Sequence, residues 1–364
     1  MSHLRELYRA EQLPVFQNRM FATAEEARTC TKGDICLVQD MRTGLIFNQA
    51  FEPELMQYDE HYQNEQAVSS IFRAHLQNVA QIIERHFAAH SLIEVGCGKG
   101  YFLEHLQAQG FDISGLDPTY EGDNPNIIRQ YFTPELGLHA DGLILRHVLE
   151  HVQDPLAFIE HLRQSNGGSG KIYIEVPCFD WICEQRAWFD IFYEHVNYFR
   201  LSDFQRIFGH VYESGHTFSG QYLYVVADLA SLRHPNFDPD DAFDFPADFL
   251  ASVDHYRQQL STQRSAQRRS AIWGGASKGV IFALFMQRAG AAIEFVIDIN
   301  PAKQGKYLAA TGLQVRAPEE VLRELEPGAD IFVMNSNYLA EIQSMTANAC
   351  TLLTVDHQPG NQDG

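Results

Sequence analysis

The chain has 364 residues, of which 45% are hydrophobic and 20% are charged, and 47 acidic residues against 27 basic ones give a formal net charge of −20. Such a composition is typical of a globular protein, and at about 100–200 residues per domain the length predicts two or three domains. The negative charge would repel phosphate backbones, which argues against a nucleic-acid partner. No apolar run approaches the ~20 residues of a membrane span.

The cysteine pattern indicates free thiols rather than disulfides or a structural metal. The six cysteines are scattered and no pair has C-x2-C spacing, so a reducing compartment fits best. Cys30 and Cys36 have no second pair nearby to complete a zinc site, and we expect no metal. The N-terminus lacks the basic-then-apolar layout of a signal peptide, which favours a cytoplasmic protein.

The first 66 residues form a polar lead-in with scattered aromatic residues. Within it, `ICLVQ` and `GLIFN` predict two short strands joined by a turn. The next segment, `NEQAVSSIFRAHLQNVAQIIERHF`, has apolar residues at steps of three and four, which predicts an amphipathic helix.

From residue 91 onward, short apolar segments alternate with helical ones. The predicted strands are `SLIEV`, `FDISGLD`, `DGLILRH`, `GKIYIEVP` and `QYLYVVADL`. Strands that alternate with helices predict a mostly parallel sheet with helices on both faces.

After Leu229 the character of the sequence changes. A Pro- and Asp-rich linker and a polar connecting helix precede a second strand, Gly-rich turn, helix and strand that begin at Ala271. We therefore predict two α/β domains with the following division: an N-terminal lobe at 1–66, a core at 67–229, a linker and helix at 230–268, and a smaller C-terminal domain at 269–364.

A glycine-rich turn follows the first strand of the core. In `IEVGCGKGYFLE` the glycines have G-x-G-x-G spacing, which departs from the G-x-G-x-x-G dinucleotide fingerprint, and an acid closes the next strand about twenty residues later. The alternative is a generic turn between a strand and a helix. The pattern resembles motif I and the ribose-binding acid of class I S-adenosylmethionine-dependent methyltransferases. The resemblance implies cofactor contacts by Glu94, Gly96, Cys97, Gly98, Gly100 and Asp117.

A second segment, `LILRHVLEHVQDP`, strengthens this resemblance, because methyltransferases of this class often read HVLEHVxDP there. It implies that Arg146 and His147, at the strand end, lie beside the cofactor, and we expect a structural role for His151. Tyr62, in the segment 56–66, is expected to lie over the cofactor, although that segment also reads as a polar loop before the long helix.

A narrower resemblance comes from `YEHVNYF`, `IWGGASKG` and `VIDINPAKQGK`, which are similar to segments of the sugar C-methyltransferases of deoxysugar biosynthesis. It implies a class I methyltransferase core, which is a doubly wound, Rossmann-like sheet, between a small N-terminal lobe and a smaller Rossmann-like C-terminal domain. It also implies that His195 is the base, that Glu194 orients the imidazole or contacts the substrate, and that Tyr193 hydrogen-bonds the keto or enolate oxygen. Taken alone, the same segment reads as aromatic core with one satisfied histidine.

The resemblance further implies that Ser277, Lys278 and Tyr198 contact the acceptor, a keto-sugar nucleotide or a related small molecule. One departure concerns the N-terminal lobe, where Asp40 and Thr43 stand at positions that are cysteines in the family. We therefore expect a lobe without zinc, and O- or N-methylation of another small metabolite remains an alternative.

The second glycine-rich turn, `WGGASKG`, nearly matches the dinucleotide fingerprint from Gly274 to Gly279, and Asp298 follows on the next strand. It supports one rival interpretation, a nicotinamide-dependent oxidoreductase, and the missing cysteines leave another, a cofactor-binding scaffold without turnover. Without the resemblance, Lys278 and Lys303 read as surface lysines. The sequence fits a monomer or a homodimer equally.

Overall fold

The computed structural model describes residues 3–56, 69–88, 90–346 and 350–356, and its strands form three sheets. The elements before the long helix are β1 (Leu4–Pro14), α1 (Ala24–Arg28), β2 (Lys32–Asp40) and β3 (Ile46–Asn48). The elements of the central part are α2 (Ser70–Phe87), β4 (Leu92–Val95), α3 (Tyr101–Ala108), β5 (Ile113–Leu116), β6 (Ile127–Ile128), β7 (Gly142–Arg146), α4 (Pro155–Ser165), β8 (Lys171–Pro177), α5 (Phe179–Glu184), β9 (Asn197–Tyr198), α6 (Leu201–Ile207), β10 (Val211–Thr217) and β11 (Tyr222–Asp228). The C-terminal elements are α7 (Ala251–Ser265), β12 (Ala271–Trp273), α8 (Ser277–Arg288), β13 (Phe295–Ile297), β14 (Val315–Arg316), α9 (Pro318–Glu324), β15 (Asp330–Val333), α10 (Leu339–Thr346) and β16 (Thr351–Thr354).

The N-terminal sheet has the antiparallel order β1-β2-β3-β9. The two predicted strands are confirmed as β2 and β3. Strand β1 was not predicted, because five of its eleven residues are exposed and its sequence `LRELYRAEQLP` lacks regular alternation. Its last strand, β9, comes from much later in the chain, where it directly follows the loop that carries His195.

The predicted amphipathic helix is confirmed as α2. Its apolar positions, including Phe72, Leu76 and Ile83, are buried against the central sheet, and the Ser69 hydroxyl caps its first turn by accepting a hydrogen bond from the Ile71 amide. The helix also buries His75, a residue that the periodicity treats as polar.

The central sheet has the order β10-β11-β8-β7-β4-β5-β6, in which β8, β7, β4, β5 and β6 are parallel and both β11 and β10 pair antiparallel. The predicted parallel sheet is confirmed, and β10 and the two-residue β6 are additions. The strand order reverses between β4 and β7. In open α/β sheets, ligands bind at the carboxyl ends of the strands at such a reversal.

The C-terminal sheet, β14-β13-β12-β15-β16, is parallel throughout, which confirms a second and smaller α/β unit. One apolar cluster continues from the central part into this unit, where the Trp188 ring stacks on Phe282 with centroids 5.5 Å apart. The C-terminal unit is therefore packed firmly onto the central one. Within the described ranges, no helix has the length and apolar character needed to cross a membrane.

Candidate active site

The glycine-rich turn lies at the reversal of strand order, between β4 and α3. Gly96, Gly98 and Gly100 have φ angles of +74°, +54° and +82°. A Cβ at Gly96 would lie 2.5 Å from Val148 and one at Gly100 would lie 2.6 Å from Ile127, whereas one at Gly98 would meet no atom within 4 Å. The protein's own packing thus requires glycine at the first and third positions, and the second faces open space.

This open space leads to a first prediction, that Gly98→Ala abolishes cofactor binding while Gly110→Ala does not. Both glycines have a positive φ, and at both an added Cβ meets no protein atom within 4 Å, so the two changes cost a similar conformational strain of about 1 kcal/mol. Only the methyl group at residue 98 would occupy space that a ligand needs. Calorimetric titration with S-adenosylmethionine measures the difference, and equal affinities in the two variants would remove Gly98 from the binding site.

Asp117 follows β5 and lies directly against the glycine-rich turn. Its Oδ2 accepts a hydrogen bond from the Gly98 amide at 2.8 Å, and its Oδ1 accepts from the amide and the hydroxyl of Thr119 at 2.8 and 2.7 Å. The carboxylate is thereby fixed at the mouth of the turn, and its Oδ2 keeps one lone pair for a ligand hydroxyl.

Glu94 and Cys97, the other expected contacts near this turn, are buried. Burial is the main reason that the pKa of Glu94 rises to about 7, with the Arg146 charge opposing the rise and the Asp117 charge adding to it. The Cys97 side chain belongs to the apolar cluster under α3, and its Sγ is 2.8 Å from where a Cβ at Gly115 would lie. Because its thiol points into this core, Cys97 can offer only its main chain to a ligand.

Arg146 and His147, at the end of β7, are held by a buried carboxylate on the neighbouring strand. Glu175 accepts hydrogen bonds from Arg146 Nη2 at 3.0 Å, His75 Nε2 at 3.2 Å and the Tyr173 hydroxyl at 2.9 Å. His147 Nε2 lies 3.2 Å from the same carboxylate. Glu175 thus fixes the positions of both cleft cations.

His147 is charged at neutral pH. Burial opposes its charge, but Glu150 and Glu175 outweigh burial and raise its pKa to about 9. Its φ of +52° is in the left-handed region, where a non-glycine residue is strained. A charged, strained residue at a strand end is typical of a binding cleft.

His195 lies in the loop between α5 and β9, beside the end of β7. Its ring centroid is 4.0 Å from that of Phe192 and 5.0 Å from that of His151, and the residue is 8% exposed. Burial, together with the charges of His151, His147 and Lys278, lowers its pKa well below the ordinary value. The imidazole is therefore neutral and has a lone pair available at neutral pH.

Glu194 and Tyr193 point away from His195, toward the N-terminal lobe. Glu194 Oε1 accepts from the Gln17 amide at 2.8 Å, and its Oε2 accepts from the Asn18 side chain at 3.3 Å. The Tyr193 hydroxyl accepts from the Glu52 amide at 2.8 Å, and its ring is fully buried. The polar ends of Glu194 and Tyr193 thus attach the loop to the lobe, and the roles of Glu194 beside the imidazole or substrate and of the Tyr193 hydroxyl at an enolate stay predictions.

Tyr198, which is expected to contact the acceptor, has a hydroxyl that is bonded to the main chain. Its hydroxyl bonds both main-chain groups of Phe192, accepting from the amide at 3.1 Å and donating to the carbonyl at 3.2 Å. The residue is 3% exposed and lies on β9, so it shapes the loop that holds His195.

The second glycine-rich turn borders a cavity of about 210 Å³ whose lining includes Asn18, Ser277, Lys278 and Asp298. The Ser277 hydroxyl donates to the Asn18 side chain at 3.0 Å, and Lys278 Nζ lies 3.0 Å from Asp190 Oδ2. Lys303 Nζ lies 3.1 Å from Asp298. Lys303 is buried, Lys278 is partly buried, and each pairs with an aspartate, so the interpretation of the two as surface lysines is wrong.

Tyr62, which is expected to lie over the cofactor, lies outside the described residues. The lobe is also expected to bind no zinc. At the two positions that are cysteines in relatives, Asp40 pairs with Arg42 and the Thr43 hydroxyl accepts from the Leu45 amide. Among the described residues, one set of three side chains has potential ligand atoms close enough for a cation, and it lies in the central part: Glu150, His151 and His195.

Sequence reasoning missed the buried polar residues of this cleft. The pattern predicts Glu175 as part of an apolar strand, and the helical periodicity places His75 on the polar, solvent-facing side of its helix. A charged residue in the middle of the run `KIYIEVP` is nevertheless a signal, since carboxylates are rarely buried without a cationic partner.

Two family models match the chain. One, described as a methyltransferase domain, matches residues 58–211, and the other, described as a C-methyltransferase C-terminal domain, matches residues 239–351. No curated protein matches the chain.

Several solved structures are similar to part of this chain, among them the three that follow. A protein from Pyrococcus horikoshii OT3 is 12% identical, with a TM-score of 0.37, and the match covers 47% of this chain and 99% of that one. A SAM-dependent methyltransferase from Archaeoglobus fulgidus is 17% identical, with a TM-score of 0.32, and covers 42% and 94%. The N-methyltransferase NodS from Bradyrhizobium japonicum WM9 is 13% identical, with a TM-score of 0.32, and covers 46% and 97%.

The strand order of the central sheet, its glycine-rich turn at the reversal and the two family models agree. The central part therefore has the Rossmann-like α/β fold of methyltransferase domains, and the C-terminal part is similar to the C-terminal domain of C-methyltransferases.

Proposed function

We propose that the protein transfers the methyl group of S-adenosylmethionine to a carbon atom of a small-molecule acceptor, a keto-sugar nucleotide or a related metabolite. The observation that carries the proposal is the neutral, buried imidazole of His195 beside the strand end that follows the glycine-rich cleft. Methylation at carbon requires a base, whereas a nucleophilic oxygen or nitrogen often needs only orientation. The description of the C-terminal family model points the same way.

The cofactor would lie over the glycine-rich turn. Asp117 would accept a ribose hydroxyl on the remaining lone pair of Oδ2, and the open space at Gly98 allows the close approach of the ligand to the main chain. Arg146, His147 and Glu94 border the same cleft from the neighbouring strand ends. Their buried charges suit a ligand that itself carries a sulfonium, an ammonium and a carboxylate group.

The reaction joins a cationic donor to an anionic acceptor. Removal of a proton next to a ketone leaves an enolate, and the carbon of that enolate attacks the methyl group of the sulfonium. Charge is neutralised as the new bond forms, so a dry site that holds both partners in line favours the step. Phe192, whose ring contacts His195, contributes to the exclusion of water.

The acceptor would reach His195 from the side of the C-terminal domain. The cavity at the second glycine-rich turn lies at the N-terminus of α8, where free amides favour a phosphate group. Ser277 and Lys278 line it, and Lys278 also acts electrostatically on His195. A nucleotide held at this turn would direct its sugar toward the imidazole.

A nicotinamide-dependent reaction at the second turn is disfavoured by Asp298. In a dinucleotide site, the acid on this strand accepts ribose hydroxyls. Here its charge is neutralised by Lys303, whose Nζ lies 3.1 Å from Oδ2. The same oxygen also accepts from the Gly275 amide at 2.9 Å, so it has no lone pair left for a ribose hydroxyl, and Oδ1 accepts from the Asn300 amide at 2.8 Å.

Two measurements test the proposal. Calorimetry should show binding of S-adenosylmethionine and none of NAD. Incubation with methyl-labelled cofactor and nucleoside-diphosphate keto-sugars should then give a product whose NMR spectrum contains a new C–CH3 group. Binding of NAD alone would overturn the methyltransferase assignment, and a product carrying O–CH3 or N–CH3 would overturn methylation at carbon.

A further inference from the structure

A buried group of three side chains lies beside the methyl-transfer cleft. One carboxylate oxygen of Glu150 and one ring nitrogen each of His151 and His195 all lie within 4.8 Å of one another. Glu150 is 1% exposed. A main-chain bond joins the two segments that carry these residues: the Val196 amide, just before β9, donates to the Glu150 carbonyl at 2.8 Å.

Only one of the two carboxylate oxygens of Glu150 has a polar partner. Its Oε1 lies 3.4 Å from His147 Nδ1, while its Oε2 is buried and has no hydrogen-bond partner. An unpaired buried carboxylate oxygen is costly, and such atoms persist where a partner arrives during function. The nearby ring nitrogens indicate that this partner is a proton on a histidine.

The tautomer of His151 is fixed by a main-chain group. Its Nδ1 lies 2.8 Å from the Glu194 carbonyl oxygen, which can only accept a hydrogen bond, so Nδ1 carries a proton and, in the neutral ring, Nε2 is the nitrogen with the lone pair. The ring that faces His195 is therefore an acceptor.

We propose that Glu150 and His151 act as positioning residues that stabilise the protonated form of His195. The inference rests on the proposed C-methylation. The acceptor C–H bond breaks, its electron pair remains as the enolate, and the proton moves to a ring nitrogen of His195. The enolate carbon then bonds to the methyl group, the S–CH3 bond breaks with its electrons going to sulfur, and the proton finally leaves to solvent.

The surroundings explain why such a partner is needed. Burial and the charges of His147 and Lys278 disfavour a positive charge on His195, and so would a positive charge on His151, so the role proposed for His151 belongs to its neutral form. Glu150 supplies a negative charge within the same group, and His151 offers the imidazolium an acceptor. Without them, the protonated intermediate would lie among cations in a site shielded from water.

Glu150→Gln tests the charge, because glutamine keeps the size of the side chain and can still accept from His147. We expect kcat to fall by about 10- to 100-fold, a share of the 10²- to 10⁴-fold that a general base contributes. The Kd for S-adenosylmethionine and the KM for the keto-sugar nucleotide that the wild type methylates should stay within about twofold, as in an interaction specific to the charged intermediate. Glu150→Asp, which restores the charge, should recover part of kcat.

A matched control is Glu213→Gln, at the opposite end of the central sheet. That carboxylate also accepts from a histidine, His86, at 2.6 Å, so the change removes a similar pair away from the cleft and should leave kcat unaltered. If Glu150→Gln does not fold, His151→Asn decides, because asparagine can donate to the Glu194 carbonyl but has no basic nitrogen. It should lower kcat as Glu150→Gln does.

Proton exchange separates this inference from the proposed function. In D2O with S-adenosylhomocysteine bound, the wild type should exchange the proton next to the ketone, and Glu150→Gln should exchange it more slowly by the same factor as kcat. A wild type that methylates carbon, with unchanged kcat or exchange in Glu150→Gln, overturns the inference alone. A wild type that methylates no keto-sugar overturns the proposed function. Stoichiometric Zn²⁺ binding that Glu150→Gln loses, with activity restored to EDTA-treated enzyme by Zn²⁺, would replace the inference with a metal site.

Discussion

Replacing His195 with alanine should abolish methyl transfer and leave cofactor affinity unchanged. In the proposed reaction this neutral imidazole is the base, and its loss should lower kcat by about 10²- to 10⁴-fold. Asp117 bonds the glycine-rich turn and Thr119 rather than His195. The Kd for S-adenosylmethionine should therefore stay within about twofold of the wild type. Labelled methyl transfer and calorimetry measure the two quantities.

Tyr193→Phe is the matched control for this variant. Because the Tyr193 hydroxyl bonds the Glu52 amide and not the cleft, its removal should lower stability by about 1 kcal/mol and leave kcat within a few-fold of the wild type. Turnover by His195→Ala at a rate near that of the wild type would exclude His195 as the base.

The pH dependence of kcat is a further test of His195 as the base. A base is active when it is unprotonated, and the pKa of His195 lies well below 6.5, so kcat should stay constant through neutrality and fall only in more acidic solution. A loss of activity that begins above pH 7 as the solution is acidified would assign the base to another group.

Replacing Glu175 with alanine should have the largest effect on stability. The carboxylate is fully buried and holds Arg146, His147 and His75. Removing one partner of a buried ion pair leaves the other charge uncompensated, so we expect a loss of about 3–5 kcal/mol in the free energy of unfolding. Cofactor affinity should fall as well, because Arg146 and His147 lose the group that fixes them.

Glu213→Ala provides the comparison for this change. Its carboxylate pairs with Arg85 and His86 but remains partly exposed, so its removal should cost about 1 kcal/mol or less. Urea unfolding measures both variants, and equal losses would show that Glu175 is not the centre of the buried network.

The charge on His147 adds a pH dependence to the stability of the wild type. Its pKa rises from 6.5 to about 9 on folding, so its contribution is complete below pH 6.5 and disappears as the pH rises through about 9. Glu175→Ala should weaken this alkaline loss, because one of the two carboxylates that raise the pKa is removed.

Local pattern predicted most of the fold. The strands β4, β5, β7, β8 and β11 and the helix α2 follow from apolar periodicity and its breaks, because their buried faces repeat at fixed spacing. Of the strands that the sequence did not predict, β1 lacks regular alternation and β9 depends on a partner distant in the chain. Strand β9 has two residues, and its pairing with β3 has no local signature.

The candidate site was predictable where a motif requires a main-chain conformation. Gly96, Gly98 and Gly100 are examples, since a tight turn at a strand end needs a positive φ. The directions of Glu194, Tyr193 and Tyr198 were not predictable, because adjacent polar residues in a loop can face different neighbours. Glu150 and Glu175 were missed because their roles depend on which strand ends meet.

The strand pairing of β3 with β9 bears on how this protein could be recombined with its relatives. The N-terminal sheet takes its outer strand from the segment that carries His195, and Glu194 binds the main chain of Gln17 and the side chain of Asn18. A chimera that exchanged residues 1–56 alone would therefore separate two halves of one sheet. To transplant the lobe with its sheet intact, residues 190–199 would have to be inherited with it as a single unit.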